Sequence, residues 1–289
     1  MELANLAAFL AVADAGGFSA AAAALHLTQP AVSKRIAQLE SELDARLFDR
    51  VGRQVLLTEA GQLLLPRARQ LLGDANDARR ALRELEHGIG GSLRMICSHH
   101  IGLHRLPPVL RKFSARYPQV ALELRFMDSE QAWHEVLHAR AELALTTLGP
   151  ATPPLQARVI WDDPLCFVAA PTHPLALRKK LGLSDLAAHP AVLPEPQTFT
   201  HRIVAAAFQQ RALALQLRMT SNFMETLKML ASVGLAGSVL PQSMLDKSVR
   251  VLPVAGVRLS RQLGCISHRG RTPSKAAQAF VQLLHQHAA

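Results

Sequence analysis

Thr28-Gln29-Pro30-Ala31-Val32-Ser33-Lys34-Arg35-Ile36-Ala37-Gln38-Leu39-Glu40 is the stretch on which the fold of this 289-residue chain turns. Thr28 is placed as an N-cap, and Pro30 falls in the first helical turn, where its missing N–H costs little. Val32, Ile36, Leu39 and Leu43 then recur at helical spacing and predict one buried stripe. At 100° per residue, Pro30, Lys34, Ala37 and Gln38 lie roughly opposite that stripe, with Gln29 and Ser33 on the N-terminal shoulder. Small and hydrogen-bonding groups therefore face outward. Any amphipathic helix shows a polar face, so this pattern gains its weight from what surrounds it.

Upstream, Leu3, Leu6, Ala7 and Leu10 mark one amphipathic helix, stopped by Gly16-Gly17. Phe18, Ala21, Ala22 and Leu25 mark a second, with Ser19 placed to help its start and His26-Leu27 making the turn into the third. Helix, tight turn and helix in this order suit entry into a DNA major groove. Gln29 can pair with an adenine edge, while Ser33 and Lys34 can reach bases or phosphates. Downstream, Val51 to Thr58 reads as a short β-ribbon with its turn at Gly52-Arg53-Gln54, which makes Arg53 a basic wing tip for phosphate or the minor groove.

Phe18-Ser19-Ala20-Ala21-Ala22, Thr28-Gln29-Pro30-Ala31-Val32-Ser33, Leu39-Glu40, Leu47-Phe48-Asp49-Arg50 and Leu57-Thr58-Glu59-Ala60-Gly61 together resemble the winged helix-turn-helix of LysR-type transcriptional regulators. The resemblance implies a DNA-binding set of Thr28, Gln29, Pro30, Ser33, Lys34, Arg35 and Arg53. The helical projection agrees with it independently for Gln29, Pro30, Ser33 and Lys34.

Thr58 can cap a further helix, with Glu59 at its positive end. Steps of four and three pick out Leu64, Ala68, Leu71, Ala75, Ala78, Leu82, Leu85 and Ile89, with the charged residues lying off this seam. Pro66 is expected to bend the first turns. The seam must bury itself against a second copy or against the chain's own body. The resemblance favours a dimer through Leu64, Leu71, Leu82 and Leu85, reading a pseudo-palindromic double-stranded operator, and the family frequently forms a dimer of dimers. His87-Gly88-Ile89-Gly90-Gly91-Ser92 reads as a hinge, since neither a preceding strand nor a Lys-Ser/Thr supports a phosphate loop.

Beyond the hinge, strands at Leu93–Cys97, Val120–Phe126 and Leu143–Thr146 alternate with helices near 103–116 and 129–139. Further strands lie near 165–170, 191–193, 215–219 and 236–240, with helices near 200–211 and 222–231. This predicts a mostly parallel α/β body. It resembles the periplasmic-binding-type effector domain of the same family, which implies two lobes. The chain would cross near Trp161-Asp162-Asp163-Pro164 and return near Cys265–His268, leaving a last helix at about 273–287 on the first lobe. The domains expected are 1–58 (winged helix-turn-helix), 59–91 (linker helix and hinge) and 92–289 (effector domain). Lobe I would comprise 92–162 and 268–289, and lobe II 163–267.

Ligands of open α/β sheets bind beyond the carboxyl ends of strands. The first such place is Ser98-His99-His100, where His99 or His100 could supply an imidazolium. By analogy Thr146 and Thr147, the Thr198-Phe199-Thr200 stretch and Asn222 complete the site. A small carboxylate or inorganic oxyanion is the expected effector, although Ser98 and Thr200 as plain N-caps, or His99 as a satisfied histidine, explain the same residues. His100 and His104 have the i, i+4 spacing of metal ligands, but no third ligand is readable, so neither a metal nor a cofactor is assigned. Cys97 lacks a nearby resolving cysteine, which departs from the peroxide-sensing members.

The net charge of +10 does not itself point to DNA, because residues 1–90 hold ten Lys or Arg against eleven Asp or Glu, and the excess, 22 against 11, lies beyond them. Three dispersed cysteines, an acidic start and no membrane-length apolar run fit a soluble cytoplasmic protein. No G-x-S-x-G, H-E-x-x-H or P-loop supports an enzyme. The remaining alternatives are a ligand-independent DNA-binding regulator and a small-molecule-binding protein with no DNA role. RNA polymerase is an expected partner of the regulator reading.

Overall fold

The computed structural model describes residues 1–51, 54–151 and 153–288. The chain divides into two compact units, Met1–Glu86 with His138–Arg140, and His87–Leu137 with Ala141–Ala289.

In the first unit, α1 (Leu3–Ala15), α2 (Phe18–Ala24) and α3 (Gln29–Leu43) precede the antiparallel strands β1 (Phe48–Val51) and β2 (Gln54–Leu57) and the long helix α4 (Glu59–His87). Their apolar faces meet in one core containing Leu6, Phe9, Val12, Phe18, Val32, Ile36, Leu39, Leu47 and Phe48. The Phe48 ring lies 5.3 Å from Phe9 and 6.0 Å from Phe18, so the start of the ribbon is pinned to the helices. Glu40 reaches off α3 to accept hydrogen bonds from the N–H groups of Leu47 (2.7 Å) and Phe48 (3.4 Å). Thr58 donates to the Arg46 carbonyl at 2.6 Å and accepts from Gly61 N–H at 3.0 Å, capping α4 as the sequence indicates. A Cβ on Gly61 would sit 2.3 Å from the Leu47 carbonyl oxygen, so only glycine allows this helix to pass so close.

Four expectations change here. Leu43, assigned to the α3 stripe, is exposed, because α3 ends beside it at Asp44, which takes the left-handed conformation. Thr28 holds the N-cap position of α3 without a side-chain capping bond, and Ser19 donates instead to Gln29 Oε1 at 3.2 Å. The α4 seam is also split. Ala68 is fully buried and Leu64 half-buried against the unit's own core, whereas Leu71 and Leu82 are exposed.

The second unit is built on one sheet. Its elements are β3 (Gly91–Cys97), α5 (His99–His104), α6 (Pro107–Arg116), β4 (Val120–Phe126), α7 (Ser129–Leu137), β5 (Leu143–Thr147), β6 (Leu155–Ala169), α8 (Leu183–Ala187), β7 (Ala191–Leu193), α9 (Phe199–Gln209), β8 (Leu217–Thr220), α10 (Met224–Ser232), β9 (Gly237–Pro241), β10 (Arg250–Val251), β11 (Leu259–His268) and α11 (Lys275–Ala288). The strand order is β4-β3-β5-β11-β6-β9-β7-β8, with β10 paired to β6. Parallel strands at each end are joined by the antiparallel pair β6 and β11, so the sheet is mixed rather than mostly parallel. One core surrounds Leu93, Met95, Phe113, Leu145 and the inner face of α11, and a second surrounds Phe167, Leu193, Val204 and Phe208.

The outgoing passage between these cores runs through Trp161–Pro164, but the return lies at Ser260–Gln262 rather than at Cys265–His268. Leu259 belongs to the second core and Leu263 to the first. Register explains the shift: Ser260, Arg261 and Gln262 pair with Pro164, Asp163 and Asp162, so both passages share one level of the sheet. The helix expected at 103–116 is two helices, broken at Arg105–Leu106 ahead of Pro107. Among the described residues, no single helix is long and apolar enough to cross a membrane.

Candidate functional site

The level at which the two strands cross is also the floor of a cleft enclosing about 470 Å3, part of it open to solvent. Arg261 lies on this floor, only 4% exposed. Its Nε donates to Asp163 Oδ2 at 2.8 Å and its Nη1 donates to Thr200 Oγ1 at 2.8 Å, while its Nη2 has no hydrogen-bond partner among the described residues. Asp163 is fully buried, with Arg105 Nη2 3.6 Å from Oδ1 and His100 Nε2 3.8 Å from Oδ2. Two guanidinium groups thus face one carboxylate, leaving one positive charge in excess at the cleft floor. His100 adds none. Burial, followed by the charges of Arg261, His104 and Arg105, pushes its pKa down to about 3, so it is neutral near pH 7.

The walls come from both sides of the crossing. Ser98 ends β3 and begins α5, its N–H tied to the Leu145 carbonyl at 2.8 Å. His99 stacks between Phe126 and Phe223, with ring centroids 6.1 and 4.7 Å away. Thr147 N–H donates to Ser129 Oγ at 3.2 Å. On the opposite wall, Thr198 accepts from His201 N–H and donates to the Glu195 carbonyl, the pattern of an N-cap. Three contacts already bridge the walls. Phe199 N–H donates to Glu130 Oε1 at 2.6 Å, Asn222 Nδ2 donates to Asp128 Oδ2 at 2.8 Å, and the Phe199 ring fills the space where a Cβ on Gly149 would stand, 2.1 Å from Cε1. Both acids of the wall, Asp128 and Glu130, are therefore engaged by donors.

In the other unit, α3 presents Thr28, Gln29, Pro30, Lys34, Ala37 and Gln38 to solvent, while Ser33 and Arg35 are half-buried at the edge of that face. The buried residues of this helix, Val32, Ile36 and Leu39, hold it from behind.

Residues 3–62 match the bacterial regulatory helix-turn-helix proteins of the lysR family, and residues 86–289 match the LysR substrate binding domain. The chain belongs to the LysR family of transcriptional regulators.

This LysR-type regulator is 30% identical to the RuBisCO operon transcriptional regulator of Allochromatium vinosum over 296 residues, covering 100% of this chain and 97% of that one. It is 32% identical over 287 residues to the uncharacterized HTH-type transcriptional regulator YeiE of Escherichia coli, covering 97% and 96%. Among solved structures, a full-length single-residue variant of OxyR from Pseudomonas aeruginosa superposes with a TM-score of 0.75 at 19% identity, covering 99% and 98%. Full-length CbnR complexed with its target DNA superposes with 0.67 at 24% identity, covering 100% of both chains. At these identities the structures show the shared fold.

Within the cleft of the LysR-type regulator, the structure brings together Ser98, His99, His100, Thr147, Thr198, Phe199, Thr200 and Asn222. Thr146 does not line it: its side chain is fully buried on the other face of β5, as strand alternation requires of the neighbour of Thr147. The imidazolium expected of His100 is likewise corrected to a neutral ring. Arg53 and the Leu85 side chain lie outside the described residues. Sequence reasoning missed Arg261, Asp128, Ser129 and Glu130. Asp163 figures in the sequence only as part of the crossing. Arg261 stands in a strand, β11, that periodicity does not reveal, and its one visible signal is an arginine shortly before the apolar and small-residue run Leu263–Ser267.

Proposed function

We propose that this transcriptional regulator reads a pseudo-palindromic double-stranded operator through α3 and is controlled by a small carboxylate or inorganic oxyanion held in the cleft. The observation that carries the effector class is Arg261, a buried guanidinium with one donor unpartnered, beside the hydroxyls of Thr200 and Ser98. A buried donor without a partner costs free energy that an anion would recover. Asp128 and Glu130 keep their negative charge, since the hydrogen bonds they accept across the cleft come from neutral donors, so the anion is placed at the Arg261 end of the cleft.

At the DNA, Gln29 and Lys34 supply base and phosphate contacts, Thr28, Pro30, Ser33 and Arg35 frame them, and Arg53 serves as the wing tip. Two-fold binding requires a second copy. The exposed Leu71 and Leu82 of α4 are the part of the seam free to meet it, and the Leu85 position continues that repeat. Leu64 contributes from within the unit's own core. Effector binding shifts the lobes and so changes how paired winged units meet adjacent half-sites, altering DNA bending or access of RNA polymerase. A cytoplasmic location follows from that role.

The test is a thermal melt of the purified full chain against a panel of small carboxylates and sulfur and phosphorus oxyanions, repeated on Ser98→Ala. A selective rise in Tm that Ser98→Ala abolishes supports the reading. No shift with any anion overturns the effector class and favours the ligand-independent regulator, for which the contacts already bridging the cleft walls are the supporting observation.

A further inference from the structure

His100 is 6% exposed, and neither of its ring nitrogens has a hydrogen-bond partner among the described residues. This is uncommon, because a buried imidazole usually spends at least one nitrogen on a neighbour. One helical turn along α5, His104 faces the same way, with its ring centroid 5.0 Å from that of His100. Across the crossing, Glu225 in the first turn of α10 places Oε1 3.0 Å from His104 Nε2. One nitrogen of each histidine and one carboxylate oxygen of Glu225 all lie within 4.8 Å of one another.

We propose that His100, His104 and Glu225 form a binding site for a divalent transition-metal ion, Zn2+ in the first instance, that ties α5 to α10 across the cleft. Two imidazoles and a carboxylate suit Zn2+, Ni2+ or Cu2+ and not the all-oxygen ions Ca2+ and Mg2+. Histidines at i and i+4 on one helix face are a recurrent way to present two nitrogens to one metal. Bonds of about 2.0–2.2 Å require the three ligand atoms to close in by roughly an ångström, a movement of side-chain rotamers rather than of backbone.

The surroundings fit. His100 Nε2 lies 3.8 Å from the buried carboxylate of Asp163, giving this imidazole the kind of neighbour that fixes the orientation of metal-bound histidines. Arg105 and Arg261 both face Asp163, and nearby Lys228 is already paired with Asp246 at 2.6 Å. His104 and Glu225 also line a solvent-open groove of about 890 Å3, which gives an ion a way in. Three protein ligands leave a coordination position for water or for an anion in the cleft that His100 also lines. The observations behind this site do not include Arg261 or Ser98, on which the oxyanion reading rests.

The experiment is a calorimetric titration of Zn2+ alone into the full-length chain, previously stripped with a chelator and dialysed free of it, with Co2+ as an optical substitute. One Zn2+ per chain is expected, with affinity falling at least tenfold in His104→Ala and in Glu225→Gln, and Co2+ should give a visible absorption band that both variants lose. His104 and Glu225 are partly exposed, so these variants are expected to fold, which circular dichroism checks. Wild-type protein that binds no Zn2+ overturns the proposal, as does undiminished binding by both variants, which would assign the metal to other surface histidines. Anion-induced melting shifts measured on the stripped protein report on the oxyanion reading separately.

Discussion

The outward face of α3 and the floor of the cleft are both polar, but their side chains are held in opposite ways. On α3, Lys34 and Gln38 extend into solvent from a helix whose other side is locked in the core, and Gln29 accepts a hydrogen bond from the Ser19 hydroxyl. In the cleft, Arg261, Asp163, Thr200, Glu130 and Asn222 are held by hydrogen bonds within the protein, and the Arg261–Asp163 charges are buried. The first arrangement leaves donors and acceptors free for a large partner. The second stores interaction energy inside the protein, where a small ligand can rearrange it. The proposed interface and the proposed sensor differ in where their polar groups find partners.

The comparison breaks most sharply at Arg261. Arg261→Ala leaves Asp163 buried with only the more distant Arg105, so a loss of about 3–5 kcal/mol of stability is expected in chemical denaturation. Lys34→Ala, on the open face, should leave Tm nearly unchanged and weaken operator binding by about 1–3 kcal/mol, with a shallower salt dependence in fluorescence anisotropy. Gln29→Ala should lose a similar amount, but at one base position. Removing the bridge at Phe199 with Glu130→Gln should cost about 1 kcal/mol in a thermal melt, because an amide oxygen still accepts from the N–H without the charge.

The smallest effect concerns the thiols. Burial pushes the Cys97 thiol well up and the Cys265 thiol up to about 12, so both are protonated and inert in the native state at pH 8. A chromogenic disulfide reagent should therefore titrate at most Cys166 before denaturation and all three cysteines after it. Because the folded state holds these protons more tightly than the unfolded chain does, stability is undiminished below about pH 9 and is lost as pH rises from there toward 12.

The winged unit was legible because its signals are local. Val32, Ile36 and Leu39 repeat within one helix, and the groups opposite them follow from the same 100° step. The α4 seam was legible as a stripe, but not in its division, since which part of the stripe meets the unit's own core depends on how the helix packs and not on its period. In the second unit, most strands and helices showed their periodicity, and eight cleft residues followed from the rule about strand ends and from the family resemblance. What stayed hidden depends on long-range pairing. Arg261 meets Asp163 only because β11 and β6 align in antiparallel register, and nothing near either residue in sequence specifies that alignment. Glu225 joins His104 by the same kind of distant placement, which is why a third metal ligand was not readable.

The most direct test of the account is fluorescence anisotropy on a labelled duplex selected by the protein from a random pool, with and without an anion that raises Tm, for the wild type, Lys34→Ala and Ser98→Ala. The account predicts that Lys34→Ala binds at least about fivefold more weakly under both conditions, while Ser98→Ala binds like the wild type without the anion and no longer responds to it. Loss of duplex binding by a folded Ser98→Ala, or full anion response retained in it, would contradict the separation of a DNA-reading face from a ligand-sensing cleft.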